Sequence, residues 1–339
     1  MTQPYYGPTG EDRQTIEYER TFIAGDVITG VGYGIQLTLY ISCVHNLWTR
    51  KEHTRQRMFL LGYITLMLLI GSLYVAVQAR TVQFVYIDNR NYPGGPWTFF
   101  LNSQTAAVNV IFYATLFLLT LLSDLFVLWR CWVIWAASGH PKLAWGVIAF
   151  PIVLLLFSFV MGTLWVLESS QPFLSLYSAL PMAYGTSYYT LSLGVNIILT
   201  LLIIGRLLVY RRNLLENLTA AHGAHYISLI TIIVESAALY SLFALLFLIT
   251  YAINHPTNQV WLAVASPCQQ IANLLIVYRV VDGSAWNQNS LSTTGALPSI
   301  RFQTETNRGH IATHISSFHL AVPPPSERPE PKGVPQDAV

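Results

Sequence analysis

Seven long apolar stretches dominate this sequence, and each is long enough to cross a lipid bilayer as a helix. The hydrocarbon core is roughly 30 Å thick, which takes about 20 helical residues. The stretches cover residues 27–48, 58–78, 105–130, 143–166, 185–208, 227–252 and 259–279. Lipid offers no hydrogen-bond partner to unpaired backbone, so these spans must be helices, whereas barrel strands would show short alternating patterns. The sequence therefore predicts an all-α membrane protein, a bundle of seven transmembrane helices.

The composition supports a lipid environment. Of the 339 residues, 53% are hydrophobic and only 10% are charged, whereas about a quarter of the residues in a soluble domain are charged. The formal net charge is +2 and the basic residues are scattered, so the chain has no basic patch of the kind that binds nucleic acid. We expect the lipid bilayer to be its partner, and no nucleic acid.

The polar ends of the chain flank the membrane domain. Residues 1–26 form a polar N-terminal segment, and residues 27–280 hold the seven spans. Residues 281–339 are rich in Ser, Thr, Asn, Gln and Pro and end in "VPPPSERPEPKGVPQDAV". Such a composition cannot bury enough apolar surface to order itself. We predict a disordered tail.

The distribution of basic residues predicts the orientation. If the N-terminus lies outside, the outer segments hold Arg13, Arg20, Arg80 and Arg90, and the other 14 of the 18 basic residues fall inside. An excess of Lys and Arg marks the cytoplasmic side. We therefore expect an outer N-terminus and a cytoplasmic tail. We also expect the plasma membrane rather than an internal one, although the charge bias does not distinguish them.

A compact polar loop, "IDNRNYPGGPWTFF", separates the second and third spans. Its Pro-Gly-Gly-Pro run combines fixed φ with residues free to adopt positive φ, which indicates a tight turn. The loop is either an ordered lid over the outer end of the bundle or a surface that contacts a small ligand. Its candidate residues are Asp88, Arg90, Tyr92 and Trp97. Arg90 could pair with Asp88.

Two carboxylates inside the apolar spans are the main candidates for function. Asp124 lies in the third span and Glu235 in the sixth, where a lone charge is costly unless it is protonated, paired or near water. The polar residues predicted to join them in an intramembrane network are Asn196, Arg206, Gln269 and Asn273. This network either fixes helix packing or forms a two-state latch that reports an outer ligand to the cytosol.

The first span contains the short motif "GVGYG". Gly30 and Gly34 have small-xxx-small spacing, which permits close helix approach. In the seventh span, Pro267 predicts a kink. Both patterns are common in membrane helices, so they indicate packing rather than a particular function.

Four segments carry a resemblance to a known group of proteins. They are "FVYIDNRNYPGGPWTFF", "LLSDLFVLWRCWVIW", "GRLLVYRR" and "ESAALYSLFALLFLITYA". Together they resemble a large, mostly uncharacterised group of fungal seven-helix membrane proteins, over about residues 25–286. The resemblance implies the seven-span architecture but brings no ligand, reaction or partner.

The function classes narrow to a receptor-like or sensory protein, with a small-molecule transporter or channel and a structural membrane protein as alternatives. The topology resembles that of G-protein-coupled receptors, yet Arg130 has no acid directly before it and their other motifs are missing. We expect no enzyme activity, catalytic residue, metal or cofactor, because the nine histidines avoid the middle of the spans and no span holds a buried lysine. The receptor alternative requires a small ligand at the outer face and a cytoplasmic signalling partner.

The predicted orientation can be tested directly. We expect protease added to intact cells to digest an epitope tag at the N-terminus and to spare one at the C-terminus, because the ends lie on opposite faces. The sequon at Asn217 should remain unglycosylated, because it lies on the cytosolic side. A glycan on Asn217, or digestion of both tags, would contradict the predicted orientation.

Overall fold

Helices make up most of the chain that the structure describes. The computed structural model describes residues 7–8, 10–49, 55–137, 141–172, 174–217 and 220–281. Within these residues, the α-helices are α1 (Arg13–Thr49), α2 (Arg55–Gln83), α3 (Gly95–Asn102), α4 (Ala107–Ala136), α5 (Pro141–Ser169), α6 (Ala179–Asn217), α7 (Ala220–Ala252) and α8 (Asn258–Val281). One turn of π-helix, Phe84–Asp88, extends α2.

The predicted seven-helix membrane fold is confirmed. Every helix except α3 is long and apolar enough to cross a membrane, and the described residues contain no strand. The helix ends differ from the predicted spans. α1 begins at Arg13 rather than at residue 27, so the second half of the predicted polar segment is helical. Nearly all of the predicted tail, residues 282–339, lies outside the described residues.

A carboxylate caps the N-terminus of the first helix. The Oδ1 atom of Asp12 accepts a hydrogen bond of 3.1 Å from the backbone N–H of Thr15, which satisfies one of the free donors at the helix start. Hydrogen bonds from the side chain and backbone of Thr15 lower the pKa of Asp12 below its usual range. This cap explains why the helix begins well before the apolar residues of the first span.

The seven long helices run alternately up and down. The order of packing is α1, α2, α4, α5, α6, α7 and α8, and α8 closes the ring by packing on α1. α4 also contacts α6 and α8, so it lies at the centre of the bundle. The start of α1, the end of α2 and the short helix α3 share one end, which we call the N-terminal end of the bundle.

Burial follows this arrangement. Val27, Val31 and Ile35 lie one turn apart on α1 and are exposed, as expected of side chains that face lipid. On α4, by contrast, polar side chains such as Asn109, Thr120 and Asp124 are buried. The bundle therefore places polar side chains inside and apolar ones outside, around α4.

Glycine allows α1 and α8 to approach closely, and within the GVGYG motif the glycine at this contact is Gly32. A Cβ atom on Gly32 would lie 2.6 Å from the Cβ of Pro267, whereas a Cβ on Gly30 or Gly34 would meet nothing within 4 Å. The prediction that Gly30 and Gly34 form the close contact is therefore wrong within this bundle. The spacing was correct for a packing motif, but it could not show which face of α1 meets α8.

Replacing these glycines with alanine should distinguish the effect of helix packing on stability from the effect of helix propensity. Gly32→Ala should lower stability by about 1–3 kcal/mol, because the rigid proline ring must move. Gly30→Ala and Gly34→Ala should be neutral or stabilising by up to about 1 kcal/mol, because alanine favours helix over glycine. Apparent unfolding temperatures of the purified full-length variants in one detergent would test this. Equal temperatures for all three variants would rule out the contact at Gly32.

Candidate functional site

A buried carboxylate joins three helices in the middle of the bundle. Asp124 on α4 is 1% exposed. Its Oδ2 atom accepts a hydrogen bond of 2.6 Å from the hydroxyl of Ser192 on α6, and its Oδ1 atom accepts one of 3.0 Å from Nε2 of Gln269 on α8. We call Asp124, Ser192 and Gln269 the central junction. Because α4 contacts both α6 and α8, one side chain on it can hold both neighbours.

The central junction is polar but contains no cation. Among the described residues, no Lys, Arg or His side chain forms an ion pair with Asp124; the ion pairs there are Arg20 with Glu17 and Arg80 with Asp88. Two neutral donors therefore satisfy the carboxyl group in a region without bulk water. Such an arrangement is sensitive, because the loss of either donor leaves a buried oxygen unpaired.

The other predicted network residues have separate positions. Asn196 and Asn273 line a cavity together with Gln269, next to the central junction. Arg206 lies over the indole ring of Trp135, with 5.5 Å from Cζ to the ring centroid, rather than beside Asp124. Glu235 is exposed on α7. Its side chain therefore points away from the interior of the bundle and does not join Asp124 in one network.

Ser192 is a junction residue that the sequence analysis did not select. Serine is common in membrane helices, so it carries a weaker signal than a carboxylate. One signal was available, because Ser192 precedes Asn196 by four residues and therefore shares its face of α6. Gln269 and Asn273 have the same spacing on α8. Both helices thus turn a pair of polar side chains towards α4.

A cluster of aromatic rings closes the N-terminal end of the bundle. Trp97 of α3 is stacked on Tyr18 of α1, with 5.0 Å between ring centroids, and it contacts Phe22, Phe100 and Tyr177. We call these five residues the aromatic lid. Trp97 is 5% exposed, so α3 packs into the protein, whereas residues 90–94 of the loop before it are exposed.

Hydrogen bonds fix the aromatic lid to the helices around it. The hydroxyl of Tyr18 donates to the backbone oxygen of Asn254 at 2.6 Å, which connects α1 to the loop before α8. The backbone N–H of Trp97 donates to Oε1 of Glu19 at 3.1 Å. The N-terminal part of α1, which the sequence suggested to be a polar tail, therefore forms part of the lid.

The loop before α3 contains the predicted tight turn. Gly94 and Gly95 have φ values of 92° and 89°, which side chains rarely adopt. Asp88 pairs with Arg80 at 2.9 Å, although the sequence suggested Arg90 as its partner; Arg80 lies two helical turns earlier on the same helical segment. Arg90 and Tyr92 are exposed, and the ring of Tyr92 packs edge-on against Phe99.

A short chain of hydrogen bonds connects the aromatic lid to α4. Nε2 of Gln104 donates to the backbone oxygen of Phe100, and Oε1 of Gln104 accepts from the hydroxyl of Tyr113. Tyr113 is fully buried on α4. It precedes Asp124 by about 16 Å along the helix, at 1.5 Å per residue. Movement of the lid can therefore reach the central junction through a single rigid helix.

Comparison with known proteins adds no relative: no family, no curated protein and no solved structure matches the chain. Within the described residues, no group of three or more His, Cys, Asp or Glu side chains is placed to hold a metal ion. The assignment of function therefore depends on the central junction and the aromatic lid.

The hydrogen bonds of the central junction should contribute to the stability of the bundle. Asp124→Ala should lower the stability of the bundle by about 1–3 kcal/mol, because it leaves the Ser192 hydroxyl and the Gln269 amide without an acceptor. Ser123→Ala is the matched control. Ser123 is the neighbouring residue, its buried hydroxyl has no hydrogen-bond partner among the described residues, and its removal should cost little.

Both variants would be compared by apparent unfolding temperature in the same detergent. Asp124→Ala combined with Ser192→Ala should cost less than the sum of the two single changes, because both remove the same hydrogen bond. Equal temperatures for Asp124→Ala and Ser123→Ala would show that the junction does not stabilise the bundle.

Proposed function

We propose that this chain is a receptor-like, sensory protein of the plasma membrane, with an outer N-terminus and a cytoplasmic C-terminus. The observation that carries the proposal is the buried central junction, in which one carboxylate on the central helix holds two neighbouring helices. The bias of basic residues supports the orientation. The resemblance to fungal seven-helix proteins is consistent with the architecture and supplies no ligand.

The proposed mechanism begins at the aromatic lid. A small ligand that separates or reorders the rings around Trp97 shifts α3, and the hydrogen bonds of Gln104 pass that shift to Tyr113 on α4. α4 then moves as a rigid rod. Packed helices change between discrete arrangements rather than deforming continuously, so a small shift at one end can change the packing at the other.

The central junction provides the two states. In one state Asp124 accepts from both Ser192 and Gln269; in the other, rotation or translation of α4 breaks one of these hydrogen bonds. The two states differ in how α4 packs on α6 and α8, and therefore in the surface presented at the opposite end of the bundle. A cytoplasmic partner that prefers one surface completes the coupling, because it binds the two states with different affinity.

Co-purification of the full-length chain tests this proposal. Tagged wild-type protein, Asp124→Asn and Ser123→Ala would be cross-linked in membranes, extracted in mild detergent and compared for bound cytoplasmic proteins. Asp124→Asn keeps the volume of the side chain but replaces one accepting oxygen with an amide donor, so it should change recovery of a signalling partner by about fivefold or more, the range of typical coupling energies. Ser123→Ala should match the wild type.

Two other results would count against this proposal. Equal recovery from all three proteins would count against a switch at the central junction. Solute flux into liposomes that contain only the purified chain would favour the transporter or channel over the receptor, because a receptor moves no solute.

A further inference from the structure

A cavity next to the central junction, on the side away from the aromatic lid, is lined by an arginine. This partly open cavity of about 30 Å³ lies between α4, α6, α7 and α8. The polar side chains that line it include Arg130, Asn196, Thr200, Tyr240, Gln269 and Asn273. A cavity of this size holds one or two occupants the size of water, whereas pockets for organic ligands measure roughly 300 Å³ or more.

Arg130 has no counter-ion in the part of the chain that the structure describes. No ion pair there includes Arg130, and no carboxylate lines the cavity. Asp124 lies six residues earlier on the same helix, about 9 Å away along the axis, and its two oxygens already accept from Ser192 and Gln269. Glu235 is exposed. Within the described residues, the partly buried Arg130 therefore lines a small cavity with no carboxylate to balance its charge.

A second donor faces the same region. Asn273 is 3% exposed, and its Nδ2 atom has no hydrogen-bond partner among the described residues. Asn273 also borders a smaller cavity of about 10 Å³ near Tyr63, which has no cationic side chain in its lining. Buried donors in proteins are almost always paired. An amide Nδ2 without a hydrogen-bond partner and a guanidinium without a counter-ion, both among the described residues, lie beside one cavity and can donate to one acceptor.

We propose that this cavity binds a small monovalent anion of halide size, with Arg130 as its main ligand and Asn273 as the second. Water could accept these hydrogen bonds but would not neutralise the arginine, and a partly buried charge is more stable with a counter-ion than without one. The rigid fork of arginine donors forms strong, charge-assisted hydrogen bonds with an anion. The bound anion stabilises the packing of the four helices, whether or not the chain is a receptor.

The anion site can be tested by thermal unfolding of the full-length protein in detergent, with chloride compared against gluconate at constant ionic strength. Gluconate is too large for the cavity. Chloride should raise the apparent unfolding temperature of the wild type by about 2–4 °C, with saturation, because it binds only the folded state. Arg130→Gln should abolish the rise. The matched control is Arg55→Gln, an exposed arginine at the same end of the bundle, which should keep it.

Two results would overturn the anion site: equal unfolding temperatures of the wild type in chloride and gluconate, or an equal rise in the wild type and Arg130→Gln. The second would show a general salt effect on the surface. If Arg130→Gln does not fold, Asn273→Ala provides the measurement. It should raise the chloride concentration at half-maximal stabilisation by about tenfold, the effect of one lost hydrogen bond to a charged group, and an unchanged concentration would equally overturn the site.

Discussion

Hydrocarbon cannot hydrogen-bond the polypeptide, and the rest of this structure depends on that constraint. Every backbone group within the membrane must find its partner in the same helix, which leaves side chains as the only means of joining one helix to another by polar contacts. In this chain the apolar residues of α1 face outward, at Val27, Val31 and Ile35. The polar residues gather around α4 instead, where a small number of hydrogen bonds carries the specificity of packing.

The number and approximate position of the membrane helices could be predicted, because apolar length is a local property of the sequence. The helix ends could not. α1 begins at Arg13 because Asp12 caps it and because Tyr18 and Trp97 pack together, and neither the cap nor the packing depends on hydrophobicity. Likewise, the turn at Gly94 and Gly95 followed from the residue types, whereas the ion pair between Asp88 and Arg80 required the helical geometry of the π turn.

For the candidate site, too, the residue types could be predicted from the sequence, whereas their contact partners could not. Asp124 and Gln269 could be selected because a carboxylate and an amide are rare and costly inside a membrane. Which side chains meet depends on the rotation of each helix about its own axis, and periodicity alone does not give that angle for two helices together. Glu235 and Ser192 show that a strong signal in the sequence and a contact in the structure need not coincide. Glu235 has the stronger chemical signal but is exposed, whereas Ser192 is inconspicuous and donates the shortest hydrogen bond to Asp124.

One helix, α4, contacts the aromatic lid, the central junction and the cavity. Tyr113 connects it to the lid through Gln104, Asp124 bonds it to α6 and α8, and Arg130 lines the cavity. Asp124 is an acid and Arg130 a base on the same helix, yet each has separate surroundings and they do not form an ion pair with each other. A shift of α4 along its axis therefore changes the hydrogen bonds of the acid and the surroundings of the base at the same time. Because Asp124 is buried in a region of low dielectric, even a displacement of one hydrogen-bond length is costly, which favours two discrete positions of the helix over a continuous range.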